Sequence, residues 1–74
     1  MRLKDHVIQS TSVDEGKQCQ LQCYLETSCL SYNLGTEENG TKLLCELSDS
    51  DRYQHPGDLV RRKGFSYHGT AVSL

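Results

Sequence analysis

Aromatic bulk is scarce in this chain. Its 74 residues hold no Trp and one Phe, beside four Tyr. A domain of this size buries a modest core in any case, and it normally needs staples, a metal or self-association to be stable. Long apolar runs are missing too, so no segment has the length of a membrane span. Met1 leads into Arg2, Lys4 and Asp5, which is not the start of an export leader. Neither charge dominates: eight Lys and Arg face ten Asp and Glu, for a net charge of −2. That excludes a whole-domain attraction to nucleic acid or to an anionic membrane surface. Internal repeats and low-complexity tracts are absent.

What is present is cysteine. Cys19, Cys23, Cys29 and Cys45 follow the pattern C-x3-C-x5-C-x15-C. Four cysteines in so short a chain are most simply two disulfides, which places the protein in an oxidising compartment. Such a chain must be exported, so it is expected to be a domain or mature segment of a longer secreted or membrane-anchored protein. The rival reading is zinc. Cys19 and Cys23 fit half of a four-ligand site, but Cys29 and Cys45 lack the close spacing of the other half. Three disulfide pairings are arithmetically open. Cys19–Cys23 is disfavoured because it would join parallel side chains on one helix. The two remaining pairings put Cys19 with either Cys45 or Cys29.

Residues 5–10 contain a short β-prone run. Ser12-Val13-Asp14-Glu15 reads as a capping box, with Ser12 as the N-cap of a helix over about 13–26 and acidic residues at its positive end. On that helix Gly16, Cys19 and Cys23 share one side, and Leu21 and Leu25 lie nearly opposite. The plainer expectation is that a loop or terminus covers the leucines; the sharper one is an exposed contact surface. Cys29 to Leu34 alternates as a strand, with Leu30, Tyr32 and Leu34 on one face. Lys42 to Leu47 does the same, with Leu43, Cys45 and Leu47 together, and the two form a hairpin around the Asn39-Gly40 turn. Residues 48–58 read as a loop turning at Pro56-Gly57, and Gly64 to Gly69 as a closing strand with Phe65 and Tyr67 on one face.

A helix bearing C-x3-C, then Cys29-Leu-Ser-Tyr-Asn33, then Leu44-Cys-Glu-Leu47 resembles the PAN/apple domain over about residues 5–69. The resemblance implies an α+β fold: one α-helix packed on a curved antiparallel β-sheet of about five strands, stapled by disulfides. It implies nested bridges, Cys19 with Cys45 and Cys23 with Cys29. It also implies one domain across residues 1–74, with 70–74 frayed. Many PAN/apple domains carry a third bridge joining the terminal strands. This chain has no cysteine in either place, so its termini are expected to be held by sheet hydrogen bonds, with His6–Ile8 beside Phe65–Tyr67.

Few residues point to chemistry. Asn39-Gly40-Thr41 is an N-glycosylation sequon on the hairpin tip, and equally a plain turn. Arg61-Arg62-Lys63 is the one basic cluster, a candidate for binding sulfated glycan or simply a charged, protected edge. Arg52, His55 and His68 would extend it only if the fold gathers them. Asp49, Asp51 and Asp58 lack the spacing of an EF-hand and read as a solvated acidic loop. His6, His55 and His68 are scattered, and no nucleophile–base pair is evident, so neither catalysis nor a cofactor is expected. The expected role is an extracellular, non-catalytic binding module for a protein ligand, of adhesion or matrix type. The alternative is a carbohydrate-binding module using Arg61–Lys63. Neither nucleic acid nor direct membrane insertion is expected, and the oligomeric state is open.

Overall fold

The computed structural model describes residues 1–37, 40 and 42–70. Strands β1 (Arg2–Leu3) and β2 (Val7–Val13) precede helix α1 (Gly16–Leu25). Strands β3 (Ser31–Thr36), β4 (Leu43–Ser48), β5 (Leu59–Val60) and β6 (Phe65–Gly69) follow, with a 3-10 turn at Pro56–Asp58. The main sheet is antiparallel with the order β2-β4-β3-β6, and β1 pairs with β5 in a separate two-stranded ribbon. The α+β architecture and the helix-on-antiparallel-sheet arrangement are as expected, with six strands in two sheets in place of about five in one.

The register gives the sheet two different faces. Leu34 lies opposite Cys45, and Cys45 opposite Thr11. Side chains alternate along a strand, so Val13, Tyr32, Cys45 and Leu47 face α1 and form one cluster with Cys19, Cys23 and Cys29. The other face buries polar side chains: Ser31, Asn33, Glu46 and Ser48. Asn33 satisfies itself by adopting a distant strand. Its Oδ1 accepts the Leu3 N–H (2.9 Å) and its Nδ2 donates to the Leu3 carbonyl (2.9 Å). Glu46 takes a two-pronged ion pair from Arg2, at 2.7 and 2.9 Å. Ser31 Oγ donates to the Ser50 carbonyl (2.6 Å). The N-terminal segment and the 48–58 loop therefore cover the second face through hydrogen bonds.

Two disulfides fasten the helix. Cys19–Cys45 joins its middle to the centre of the sheet, and Cys23–Cys29 joins its last turn to the start of β3. This is the nested pairing that the resemblance implied. All four sulfurs are consumed, which overturns the zinc reading.

Three expectations need correction. The helix starts three residues later than Ser12-x-x-Glu15 suggested. Ser12 is paired with Leu44 and Val13 with Leu43 in β2, and Glu15 is the N-cap. Gln18 now supplies the third-position amide: its Oε1 accepts the N–H of Asp14 (2.6 Å) and of Glu15 (3.0 Å). Burial of Val13 in the core decides for the strand. Second, His6–Ile8 do not lie beside Phe65–Tyr67; the amino-terminal contact with β6 is made by Met1, whose nitrogen donates to the Phe65 carbonyl (2.8 Å). β2 and β6 lie on opposite edges, because β2 pairs with β4 while β6 pairs with β3. His6 is drawn instead to the 48–58 loop, where its carbonyl accepts the Asp49 N–H (3.1 Å). Third, no described segment covers the outer helix leucines: Leu21 is 56% and Leu25 70% exposed.

Gly35 is required where it stands. A Cβ there would lie 2.5 Å from the Phe65 ring on the neighbouring strand. Gly64, at φ +84°, closes the turn that carries the chain from Arg62 into β6.

The loop-closure relation ranks the two bridges. The longer, with a sequence separation of 26, is expected to contribute about 3.5 kcal/mol and the shorter, with a separation of 6, about 2.4 kcal/mol. Paired Cys→Ala variants followed by urea denaturation should reproduce that order, and equal losses would contradict it. Asn33→Ala should cost about 2–4 kcal/mol, because it strands two buried backbone groups of Leu3. Amide exchange at Leu3 should accelerate with it while exchange in β4 is slowed as before.

Candidate functional site

A groove of about 880 Å³ runs between the last turns of α1 and the outer edge of β6. Tyr24 and Gln20 form the helical wall, Tyr67 and Thr70 the strand wall, and the Cys23–Cys29 bridge with Tyr32 lies between. Each wall is fixed locally. The short disulfide holds the helix end, and Thr70 donates to the Leu30 carbonyl through both N (3.2 Å) and Oγ1 (2.7 Å). Tyr32 stacks on His68 with centroids 4.9 Å apart and planes at 13°. Burial pushes the Tyr32 hydroxyl above its usual range, so it stays neutral and polar.

A separate recess of about 230 Å³ shares Tyr67 and Gly69 with the groove and is bordered by Asp51, Arg52 and Tyr53. Asp51 shapes that corner. Its Oδ1 accepts the N–H groups of Tyr53 (3.0 Å) and Gln54 (2.9 Å). The Arg52 N–H donates to the Tyr67 hydroxyl (3.0 Å), and the Arg52 guanidinium lies 5.0 Å over the Tyr53 ring. The hydrogen bond to Tyr53 raises the pKa of the Arg52 guanidinium further.

A second surface is the outer face of α1. Leu21, Tyr24 and Leu25 stand three to four residues apart on one stripe, and Tyr24 is 83% exposed. Tyr24 belongs both to this stripe and to the groove.

The predicted basic cluster is exposed. Arg61, Arg62 and Lys63 form the turn between β5 and β6, with Arg62 6.0 Å over the Phe65 ring. Arg52, His55 and His68 have partners elsewhere: Tyr53, His6 and Tyr32 respectively. Of the sequon, Asn39 and Thr41 lie outside the described residues, as do residues 71–74 of the 70–74 end expected to fray, whereas Thr70 is bonded to the Leu30 carbonyl.

The histidines are less scattered than their sequence positions suggest. His6 and His55 stack at 4.1 Å. His6 Nε2 donates to Asp58 Oδ2 (2.7 Å), and His55 Nδ1 lies 2.6 Å from Ser50 Oγ. Ser50 is buried, so this pair offers a substrate no nucleophile. The acidic loop is not simply solvated either. Asp51 is buried over two amides, and Asp58 is held by His6. Among the described residues, no group of three or more His, Cys, Asp or Glu is placed to hold a metal.

The sequence reading missed both the groove and the tie from Arg52 to Tyr67. One signal was available: Phe65-Ser-Tyr-His-Gly69 is a strand without a formal charge or a proline, which is unusual protection for an edge.

The PAN domain family model matches residues 1–70. The chain belongs to the PAN domain family. PAN domains are binding modules for proteins or carbohydrates and are generally non-catalytic. No curated protein and no solved structure gives a significant match. Within the PAN domain described here, no helix among the described residues is long and apolar enough to cross a membrane.

The Asp58 pair makes stability depend on pH with a definite sign. The hydrogen bond from His6, with help from nearby positive charge, holds the Asp58 carboxyl below its unfolded value of about 3.9. A depressed carboxylate stabilises the fold above the unfolded pKa and loses that contribution as pH falls through the folded one. The melting temperatures of wild type and Asp58→Asn should therefore differ at pH 6 and converge below about pH 4. A gap that persists unchanged into acid would contradict the assignment.

Proposed function

We propose that this PAN domain is an extracellular, non-catalytic module that binds another protein, within a larger secreted or membrane-anchored protein of adhesion or matrix type. The observation that carries the reading is the exposed stripe of Leu21, Tyr24 and Leu25. Large apolar side chains grouped on one rigid face mark contact surfaces. Two disulfides hold that face in place, so little ordering entropy is lost on association. The disulfides also favour an oxidising compartment.

A second reading is a sulfated-glycan module, favoured by the exposed Arg61-Arg62-Lys63 turn. It is the weaker one. The net charge is −2, and the aromatic ring nearest the cluster, Phe65, is half-buried beneath Arg2 and Arg62.

Parallel binding to arrays of purified ectodomains and of sulfated glycans, at rising salt, separates the two. The expected result is a protein hit that weakens about 30-fold in Leu21→Glu/Leu25→Glu, the ~2 kcal/mol of a hot spot, with the melting temperature preserved. Salt-sensitive glycan binding abolished by Arg61→Ala/Arg62→Ala/Lys63→Ala, without any protein hit, would replace the first reading by the second.

A further inference from the structure

The two edges of the main sheet are not alike. On β2 the register shifts between Val7 and Gln9, an irregularity that spoils the edge as a template for another strand. On β6 the pairing with β3 runs unbroken from Ser31–Gly69 to Gly35–Phe65, with no proline, bulge or formally charged residue.

The hydrogen-bond phase shows what that edge presents. Glu37 N–H donates to the Lys42 carbonyl, so odd-numbered residues of β3 turn their backbone groups to β4 and even-numbered ones to β6. On β6 the even-numbered residues therefore pair inward, as Thr70 N–H does with the Leu30 carbonyl. Phe65, Tyr67 and Gly69 point outward. The Phe65 carbonyl is already taken by the Met1 nitrogen (2.8 Å), and the Phe65 N–H by the Arg62 carbonyl. Among the described residues, that leaves the N–H and C=O groups of Tyr67 and Gly69 as a short outward ladder, and these two residues line both the groove and the recess.

We propose that β6 binds an extended peptide of a partner protein, which adds as one more strand along Tyr67–Gly69 and places alternate side chains in the groove against Tyr24 and in the recess beside Arg52. The ends of this track differ in charge: Glu26 stands at the helix end, and the recess offers Arg52 beside an Asp51 that is buried with its Oδ1 already accepting the Tyr53 and Gln54 N–H groups. The peptide that fits bears a basic residue at the first and an acidic residue at the second. Backbone pairing supplies affinity and the flanking pockets supply choice. The inference rests on the reading of the chain as a protein-binding module but uses a surface other than Leu21 and Leu25.

The test selects a displayed library of random 12-residue peptides on the folded domain. Enriched peptides should carry a basic and an acidic residue on opposite faces of the added strand, the basic one towards the helix end and the acidic one towards Arg52. They should slow amide exchange at Tyr67 and Gly69 in the wild type. Gly69→Pro removes an outward N–H without touching the β3 ladder and should weaken binding at least tenfold. Gly69→Ala keeps that N–H, and its added Cβ meets Tyr67 at an ordinary 3.5 Å, so it should bind as the wild type does. Leu21→Glu/Leu25→Glu should bind these peptides unchanged. The proposal is overturned if no peptide is enriched, if exchange slows only on α1, or if protection of Tyr67 and Gly69 arises from self-association of the domain alone. A helix-face protein hit surviving any of those results would leave the broader reading standing; glycan binding alone would remove both.

Discussion

The Cys19–Cys45 bridge is the contact on which the rest of this domain depends. The buried apolar set is small: Leu3, Val13, Tyr32 and Leu47 apart from the cysteines themselves. In place of a large side chain from the helix, the space between helix and sheet is filled by sulfur. Cys19 and Cys45 are both fully buried, at the centre of the cluster. A covalent link at that point removes much of the entropy that so thin a core would otherwise have to offset. It also sets which way the helix faces. With Cys19 and Cys23 bound inward, the residues half a turn away point to solvent, and on a helix of ten residues there is no second apolar partner to turn them back.

The second face of the sheet is closed by a different device. Asn33 lies among buried neighbours and completes its hydrogen bonds with the backbone of Leu3, thirty residues earlier, and with Glu46 Oε1 (3.3 Å). Glu46 is likewise buried and is satisfied by Arg2. Each polar group would be costly alone, and the pairings make the costs conditional on β1 being in place. These side-chain contacts secure the amino-terminal strand without the third bridge that many PAN domains carry. A hydrophobic clasp of the same size would hold as well but would not specify which two residues must sit there.

The legible parts of this fold were the local ones. β3 and β4 could be read because Tyr32 and Leu34 alternate on one and Leu43, Cys45 and Leu47 on the other, although Gly35 and Thr36, read as part of the connection, extend β3. The helix was legible in kind but not in its first residue. Ser12-x-x-Glu15 and Glu15-x-x-Gln18 are both capping patterns, and only the burial of Val13 in a strand separates them. The meeting of β1 with β5 left no local trace: two-residue strands have no periodicity to detect, and β1 is also held by Asn33, thirty residues away in sequence. The same ribbon brings His6 to His55, 49 positions apart, and so makes a cluster out of histidines that look unrelated in sequence. For the binding surfaces, the exposure of Leu21 and Leu25 was posed correctly as an alternative. The groove could not be foreseen, since it needs the helix end and the outer strand placed side by side.

These constraints also explain why the open surfaces cluster at one side. The short Cys23–Cys29 link pulls the end of the helix down beside β3, and β3 carries β6 on its outer flank. The edge of β6 is thereby set next to a rigid, aromatic helix end. The opposite edge, β2, is instead tied to α1, where Thr11 Oγ1 donates to Gln22 Oε1 (2.8 Å), and it is interrupted where Val7 gives way to Gln9. A domain with little core to spare would be expected to close both edges if aggregation were the only pressure. An edge left regular and uncharged beside a shaped groove is the feature on which the proposed strand addition rests.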